Sequence, residues 1–366
     1  MITVEQVKSA LSKVMDPDLH QDIVSLGMIS DISIEKLTSG AGDGSAEGSR
    51  VSFKLTLTTP ACPVREVIEE EARNVVRSLP GVSEVNMEST AAVTTQRPMP
   101  GRELIEGIKQ IVAVTSGKGG VGKTTVAVNL AVTLARLGAK VGLLDSDITG
   151  PNVPLMLGVA DYQPKAIGNR IVPAENYGVK CVSMAFFVGK DTPVIWRGPM
   201  LDKAIRQFLK DVEWGELDYL IVDMPPGTGD AQLTFSQATS LAGGIIVTTP
   251  QDVALLDGRK GLAMFQQMKI PILGFIENMS YFICPHCGEQ SNIFSHGGGQ
   301  ALAQEMHVPF LGTVPIDISV REGGDMGKPI TAVDPEHPVS KAFDTVAKQV
   351  AAQVSIQALS PAPVPA

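Results

Sequence analysis

The chain has 366 residues, 44% of them hydrophobic, and a formal net charge of -9. That length suggests two domains of roughly 150 residues each, with apolar content sufficient for buried cores, and the acidic balance argues against nucleic acid gripped by a basic surface. No apolar run nears the roughly 18 residues of a membrane-spanning helix, and four cysteines (Cys62, Cys181, Cys284 and Cys287) are too few for a disulfide scaffold in a chain this long. The start, Met1-Ile2-Thr3-Val4-Glu5, lacks the charged and apolar regions of a signal peptide. The expectation is a cytoplasmic protein of a reducing compartment, with no membrane partner.

From Thr3 to Val14 the apolar positions Val4, Val7, Leu11 and Val14 recur at helical spacing. Ile29 to Leu37 and Val51 to Leu57 alternate as strands, and the polar stretch Thr38 to Ser45 between them reads as a hairpin loop. Pro63 to Leu79 predicts a second helix with Val64, Val67, Ile68, Val75 and Val76 turned inward, stopped by Pro80-Gly81, and Val82 to Met87 a last strand. Residues 1–90 thus form a small α+β domain, followed by a linker over 91–108, a larger domain over 109–356 and a disordered tail over 357–366. Cys62 stands just ahead of the second predicted helix, where a helix N-terminus would lower its pKa and make it an accessory nucleophile or metal ligand. A small buried residue at a turn is the other reading.

The larger domain alternates strands and helices, as in an α/β fold with a mainly parallel sheet flanked by helices. Its first strand, Ile111 to Val114, leads into Gly117-Lys118-Gly119-Gly120-Val121-Gly122-Lys123-Thr124-Thr125, and Val126 to Ala131 has helical spacing. This strand, glycine-rich turn and helix N-terminus match the phosphate-binding P-loop at every position. The glycines let backbone N–H groups converge on an anion, and the helix dipole favours negative charge there. Lys123 is placed for the β- and γ-phosphates of a nucleotide triphosphate, and the Thr124 hydroxyl for Mg²⁺. Lys140 to Leu144 predicts a strand ending in Asp145-Ser146-Asp147, and Tyr219 to Val222 one ending in Asp223. Strands at Gly244 to Thr249, Ile272 to Ile276 and Leu311 to Val314 follow. Ligands of such sheets sit at the carboxyl ends of strands, where all these groups fall. Asp223, ending an apolar strand, reads as the magnesium acid. Asp145 is a candidate for magnesium contact and Asp147 for orienting the attacking water. The turn Pro225 to Asp230 is able to sense a γ-phosphate.

Cys284-Pro285-His286-Cys287 is the second decisive pattern. Two thiolates at this spacing ligate one metal centre, but zinc and iron–sulfur clusters generally take four ligands. The sequence holds no second pair, so a symmetric dimer would supply the other two, and a [4Fe–4S] cluster bridging two subunits follows as the expectation. A dimer-bridging structural zinc and a dithiol redox centre are alternatives. His286 reads as a spacer, and His296, ahead of Gly297-Gly298-Gly299, as a loop residue.

The P-loop with its additional Lys118 resembles the deviant P-loop ATPases of the MinD/ParA and nitrogenase-iron-protein group. The first domain, through Asp16-Pro17-Asp18, Asp22 to Gly27 and Cys62, resembles the small domain of iron–sulfur assembly factors. With Asp145 to Pro151, Trp196-Arg197-Gly198-Pro199, Asp223 to Asp230 and the cysteine pair in one order, nearly the whole chain resembles the Mrp/ApbC family of iron–sulfur cluster carrier ATPases. The resemblance implies a homodimer that binds and slowly hydrolyses ATP with Mg²⁺, receives a cluster from donors and hands it to apo iron–sulfur proteins. It implies that Lys118 reaches the phosphates bound by the partner subunit, that Asn278 reads the adenine edge and that Pro315 lines the same base. A positioning ATPase of the MinD/ParA kind, with the cysteines as a structural zinc clip, is the competing reading. It would need a basic amphipathic terminus, and the last helix offers only Lys341 and Lys348 beside Phe343, Val346, Val350 and Val354.

Overall fold

The computed structural model describes residues 2–37, 48–147, 150–187, 198–227 and 229–359. The chain divides into two units, one running up to Thr94 and the other from Thr95 to Ala358.

The first unit opens with helix α1 (Val4–Leu11), started by a reciprocal cap in which the Gln6 N–H donates to Thr3 Oγ1 and the Thr3 N–H to Gln6 Oε1. Strands β1 (Ile29–Leu37), β2 (Gly48–Leu57) and β3 (Val82–Ala91) form one sheet in that order, β1 antiparallel to β2 and β2 parallel to β3. The parallel pair requires a crossover, supplied by helix α2 (Arg65–Arg77). Val51, Phe53, Leu55 and Leu57 alternate onto the buried face of β2 and share a core with Val7, Leu11, Ile68, Ala72 and Val76. The inward face of α2 differs from the predicted one at Val67, which is 53% exposed. Ile68, Ala72 and Val76, four apart, define the buried stripe, and Val67 falls outside it.

In the second unit the strands are β4 (Ile108–Thr115), β5 (Val141–Asp145), β6 (Ala174–Asn176), β7 (Val179–Ser183), β8 (Leu217–Asp223), β9 (Gly243–Thr248), β10 (Ile272–Ile283), β11 (Gln290–Ser291) and β12 (Phe310–Ile316). They make one sheet in the order β6-β7-β5-β8-β4-β9-β10-β11, with β12 also paired to β10. Every pairing is parallel except β6 with β7 and β10 with β11. The helices are α3 (Lys123–Arg136), α4 (Val153–Met156), α5 (Gly198–Lys210), α6 (Asp230–Ala238), α7 (Asp252–Gln267), α8 (Gly298–Glu305), α9 (Ile318–Asp325), α10 (Ile330–Val333) and α11 (Pro338–Leu359). The central strands read as unbroken apolar runs because both faces are covered; Ile111 to Val114 and Tyr219 to Val222 have no exposure. The first crossover, β4 through α3 to β5, goes to one side of β4 and β9 lies on the other. The loop after β4 therefore sits where the strand order reverses, the place such sheets bind ligands.

The structure adds what the sequence did not signal. Strands β6 and β7 and the hairpin of Lys165–Ile167 with Arg170–Val172 precede α5. The stretch assigned to a linker is tied to the second unit: the Ile111 N–H donates to Gln96 Oε1 (2.8 Å), Gln96 Nε2 to the Ser240 carbonyl (2.7 Å) and Arg102 Nη2 to the Met268 carbonyl (2.7 Å). Helix α11 runs through Leu359, so residues 357–359 are helical rather than tail. Its Phe343, Val346, Val350 and Val354 are all buried, which makes its apolar side core packing. Among the described residues no helix is long and apolar enough to cross a membrane. The loop near Gly40, Trp196, Arg197, Thr228 and the end from Ser360 lie outside the described residues.

Candidate functional site

After β4 the chain turns through Ser116 to Gly122 and enters α3 at Lys123. Gly122 has φ +80°, a conformation that costs glycine nothing and other residues strain. A Cβ there would also lie 2.2 Å from Asn278 Nδ2, which donates to the Val121 carbonyl at 2.8 Å. A Cβ on Gly117 would lie 2.0 Å from the Asp257 carbonyl oxygen, so the loop's first residue is laid directly on the backbone of α7. Gly119 and Gly120 are exposed, and Thr124 and Thr125 are half-buried on the first turn of α3. Lys118 is half-buried and its carbonyl accepts the Ser116 hydroxyl (2.9 Å). Its ammonium makes no ion pair among the described residues.

The acids predicted at the strand ends do come together. Asp145 and Asp223 stand opposite each other in register on β5 and β8. Lys123 Nζ lies 2.6 Å from Asp223 Oδ1 and 3.7 Å from Asp147 Oδ2, while the Thr124 hydroxyl donates to Asp223 Oδ2 at 2.7 Å. Burial pushes the Asp223 carboxyl above its ordinary range, and the Lys123 ammonium opposes that. Asp145 also holds the chain that follows it. Its Oδ1 accepts the Asp147 N–H (3.2 Å), and its Oδ2 accepts the Val153 N–H (3.3 Å) and the Ser183 hydroxyl (2.9 Å). Both oxygens are therefore committed to shaping the loop after β5. Burial, then the Asp223 charge, raises its pKa. Asp147 is buried and its Oδ1 accepts the Gly150 N–H (3.3 Å).

Beside Thr124 and Thr125 a cleft of about 610 Å³ opens, lined by Leu155, Met156, Asn278, Met279, Pro315 and Val320 among others. Asn278 and Pro315 were legible in the sequence. Leu155, Met156 and Val320 were not, since α4 and α9 bring them in from distant stretches with no motif of their own. The cleft suits a flat, mainly apolar group attached to a phosphate chain held at the P-loop.

Cys284 to Cys287 form the turn between β10 and β11, closed by the Gly288 N–H donating to the Cys284 carbonyl (2.8 Å) and the Cys284 N–H donating to the Glu289 carbonyl (2.9 Å). Cys284 is half-buried and Cys287 exposed. The Cys287 and His286 backbone N–H groups, with the Cys287 thiol, hold the Cys284 thiol below its usual pKa, which favours the thiolate a metal needs. No group of three or more metal-ligating side chains exists among the described residues, so one copy offers this site only the pair. Cys62 takes the second of its two readings, a small buried residue at a turn. It is buried, α2 starts only at Arg65, and burial pushes its thiol up to about 11, with Asp16 and Asp18 adding to the rise.

Residues 107–351 match the family model described as NUBPL iron-transfer P-loop NTPase, which is more than half of the chain. The chain belongs to that family. Residues 4–87 of this NUBPL-type NTPase match a second model, that of the iron-sulfur cluster assembly protein. The iron-sulfur cluster carrier protein of Synechocystis is 51% identical over 364 residues, covering 98% of this chain and 100% of the relative. That of Deinococcus radiodurans is 46% identical over 357 residues, 97% and 96% of the two chains. Among solved structures, a nucleotide-binding protein of Archaeoglobus fulgidus in complex with ADP is similar with a TM-score of 0.57 and 38% identity, covering 65% of this chain and 93% of that one. The septum site-determining protein MinD of Pyrococcus horikoshii, complexed with Mg-ADP, follows with a TM-score of 0.51 and 27% identity over 65% and 94% of the chains. The NUBPL-type NTPase thus has the P-loop NTPase fold, a mainly parallel sheet flanked by helices and preceded by a small domain.

Proposed function

We propose that this chain is an iron–sulfur cluster carrier that acts as a homodimer, assembles a [4Fe–4S] cluster as cargo on Cys284 and Cys287 of both copies, and delivers it to apo iron–sulfur proteins under control of ATP. One observation carries the reading: the cysteine turn ends β10, the same strand whose Asn278 holds the P-loop through the Val121 carbonyl. Cargo thiols and nucleotide loop share one element.

The residues from Gly117 to Thr125 receive the phosphates, and Lys123 exchanges its Asp223 partner for phosphate oxygens. Thr124 and Asp223, two oxygen donors already 2.7 Å apart, fit a hard cation such as Mg²⁺, whose role is to neutralise charge on the β- and γ-phosphates. Asp145 holds the loop that carries Asp147, its Oδ1 accepting the Asp147 N–H and its Oδ2 the Val153 N–H and the Ser183 hydroxyl, and its carboxylate stands in register with Asp223 beside the cation site. Asp147 orients the attacking water. Asn278 and Pro315 contact the base. Lys118, without an ion pair among the described residues, serves the partner's phosphates. The exposed Leu233 (46%), Val253 (60%) and Leu256 (59%), on the first turns of α6 and α7 at the P-loop edge of the sheet, support a face covered by a second copy. Hydrolysis is slow and works as a switch between holding and releasing the cluster.

The test is anaerobic reconstitution with iron and sulfide, followed by iron, sulfide and zinc analysis. About four irons per dimer, lost in a Cys284→Ala/Cys287→Ala variant, is the expected result. Zinc alone, with no iron–sulfur absorption, would overturn the carrier reading in favour of a structural metal clip.

A further inference from the structure

Strand β10 changes register between its nucleotide end and its cysteine end. It advances from Asn278 to Phe282 while its neighbour β12 advances only from Val314 to Ile316, so residues 279–281 bulge out of the ladder. Met279, in the bulge, has φ +54° and lines the base cleft. Ser280 beside it is fully buried; its hydroxyl donates to Glu277 Oε1 at 2.5 Å, and its oxygen is left to accept Nδ1–H of His296 at 2.8 Å. Glu277 is fully buried as well, and it accepts the N–H groups of Gly297 (3.0 Å) and Gly299 at the start of α8. A Cβ on Gly299 would lie 3.0 Å from Glu277 Oε2, so this approach of carboxylate to helix is built on a glycine. Neither nucleotide binding nor thiolate ligation requires the chain His296–Ser280–Glu277.

We propose that Ser280, His296 and Glu277 are positioning residues that couple occupancy of the base cleft to the geometry of the Cys284–Cys287 turn. The proposal rests on the carrier reading above and deepens it. A bulge is where a strand yields most easily, and a left-handed non-glycine residue stores strain that a change of backbone can release. Met279 feels the base on one side of the bulge. On the other side Cys284 follows within five residues, past a ladder to β11 of only two paired positions, Phe282 with Ser291 and Ile283 with Gln290. The hydrogen-bonded chain fastens the bulge to α8, and so to the core. A shift of Met279 therefore moves the cysteine turn instead of being absorbed where it starts.

The experiment uses the full-length, metal-free protein under anaerobic conditions. Alkylation of Cys284 and Cys287 by iodoacetamide is followed by mass spectrometry with and without saturating MgADP, with the buried Cys62 and Cys181 as internal reporters of an intact fold. In the wild type MgADP should change the rate by about fivefold or more, the lower end of ordinary coupling between two sites. Ser280→Ala and His296→Ala should bring that ratio close to one while MgADP affinity stays within about twofold, which a purely structural role would not do. His296 is exposed enough (42%) for its variant to fold even if Ser280→Ala does not. A wild-type ratio of one, or variants that keep the wild-type ratio, would overturn the proposal. Because no iron is present, either result is independent of whether reconstitution yields a cluster.

Discussion

Lys123 and Asp223 form an ion pair of 2.6 Å with side chains 6% and 0% exposed, and Asp145 lies in register beside the carboxylate. A charge pair this dry holds only while both partners are present. Truncating one leaves the other uncompensated, at a cost of about 3–5 kcal/mol.

Lys123→Ala should therefore lower the stability of the nucleotide-free protein by about that amount as well as abolish ATP hydrolysis. Asp223→Asn in the same chain should restore part of the loss, since it removes the orphaned charge. Urea unfolding of the two single variants and the double variant gives the coupling directly, and additive effects would contradict the pair as described.

Gly122→Ala places a methyl group 2.2 Å from Asn278 Nδ2 and forces alanine to φ +80°. Strain of about 1–3 kcal/mol joins the loss of one hydrogen bond, about 1 kcal/mol. MgADP affinity should fall roughly ten- to a thousandfold, read by isothermal titration. Asn278→Ala should lose only the smaller share.

Lys118→Ala separates intrachain from interchain roles. MgADP binding to one copy should stay within about threefold, because the Lys118 ammonium makes no ion pair among the described residues, while ATP-dependent dimer formation should disappear. Light scattering with a slowly hydrolysed ATP analogue reads the second effect. A Lys118→Ala protein that still dimerises with ATP would remove this residue from the interface.

The two kinds of thiol should titrate apart. Cys62, pushed up to about 11 by burial, is thiolate in only about one part in a thousand at pH 8, so its alkylation should rise about tenfold per pH unit up to pH 10. Cys284, held below its ordinary value by N–H groups, should level off first. The sign for stability follows. Folded Cys62 keeps its proton above the unfolded value of 9.0, so its contribution is complete below pH 9 and is lost as the pH rises towards 11. Alkylation rates per cysteine and thermal midpoints from pH 7 to 11 check both statements.

What the sequence made legible was local. The P-loop is contiguous, its glycines are set by backbone geometry, and Asp223 could be placed because an apolar run ends in it. The strands of the larger unit were readable from their uninterrupted apolar character. What lay beyond reach depends on chain segments meeting from afar. Asp145 looks like Asp223 in sequence, which gives no sign that its Oδ2 accepts the Ser183 hydroxyl and the Val153 N–H. Cys62 reads either as a helix-start thiol or as a small buried turn residue, and only the structure decides: α2 begins three residues later and the core closes over the sulfur. His296 is the loop residue its sequence suggests, but its partners, Ser280 and Glu277, come from another element and carry no local signal. Arg321, Val320 and Met156 border the cleft beside Thr124 and Thr125 without any local signal.

Two paired positions join the β11 end of the cysteine hairpin to the sheet, and the hairpin's tip is exposed. A ligand loop hung on so short a ladder opens at little cost compared with melting the domain. Under the proposed function, loading and unloading would then proceed by fraying at the margin while the P-loop unit stays folded. If the pair holds the cluster as proposed, the lifetime of the cargo is set by the hinge of a hairpin, and lengthening or shortening that ladder should tune retention without touching either cysteine.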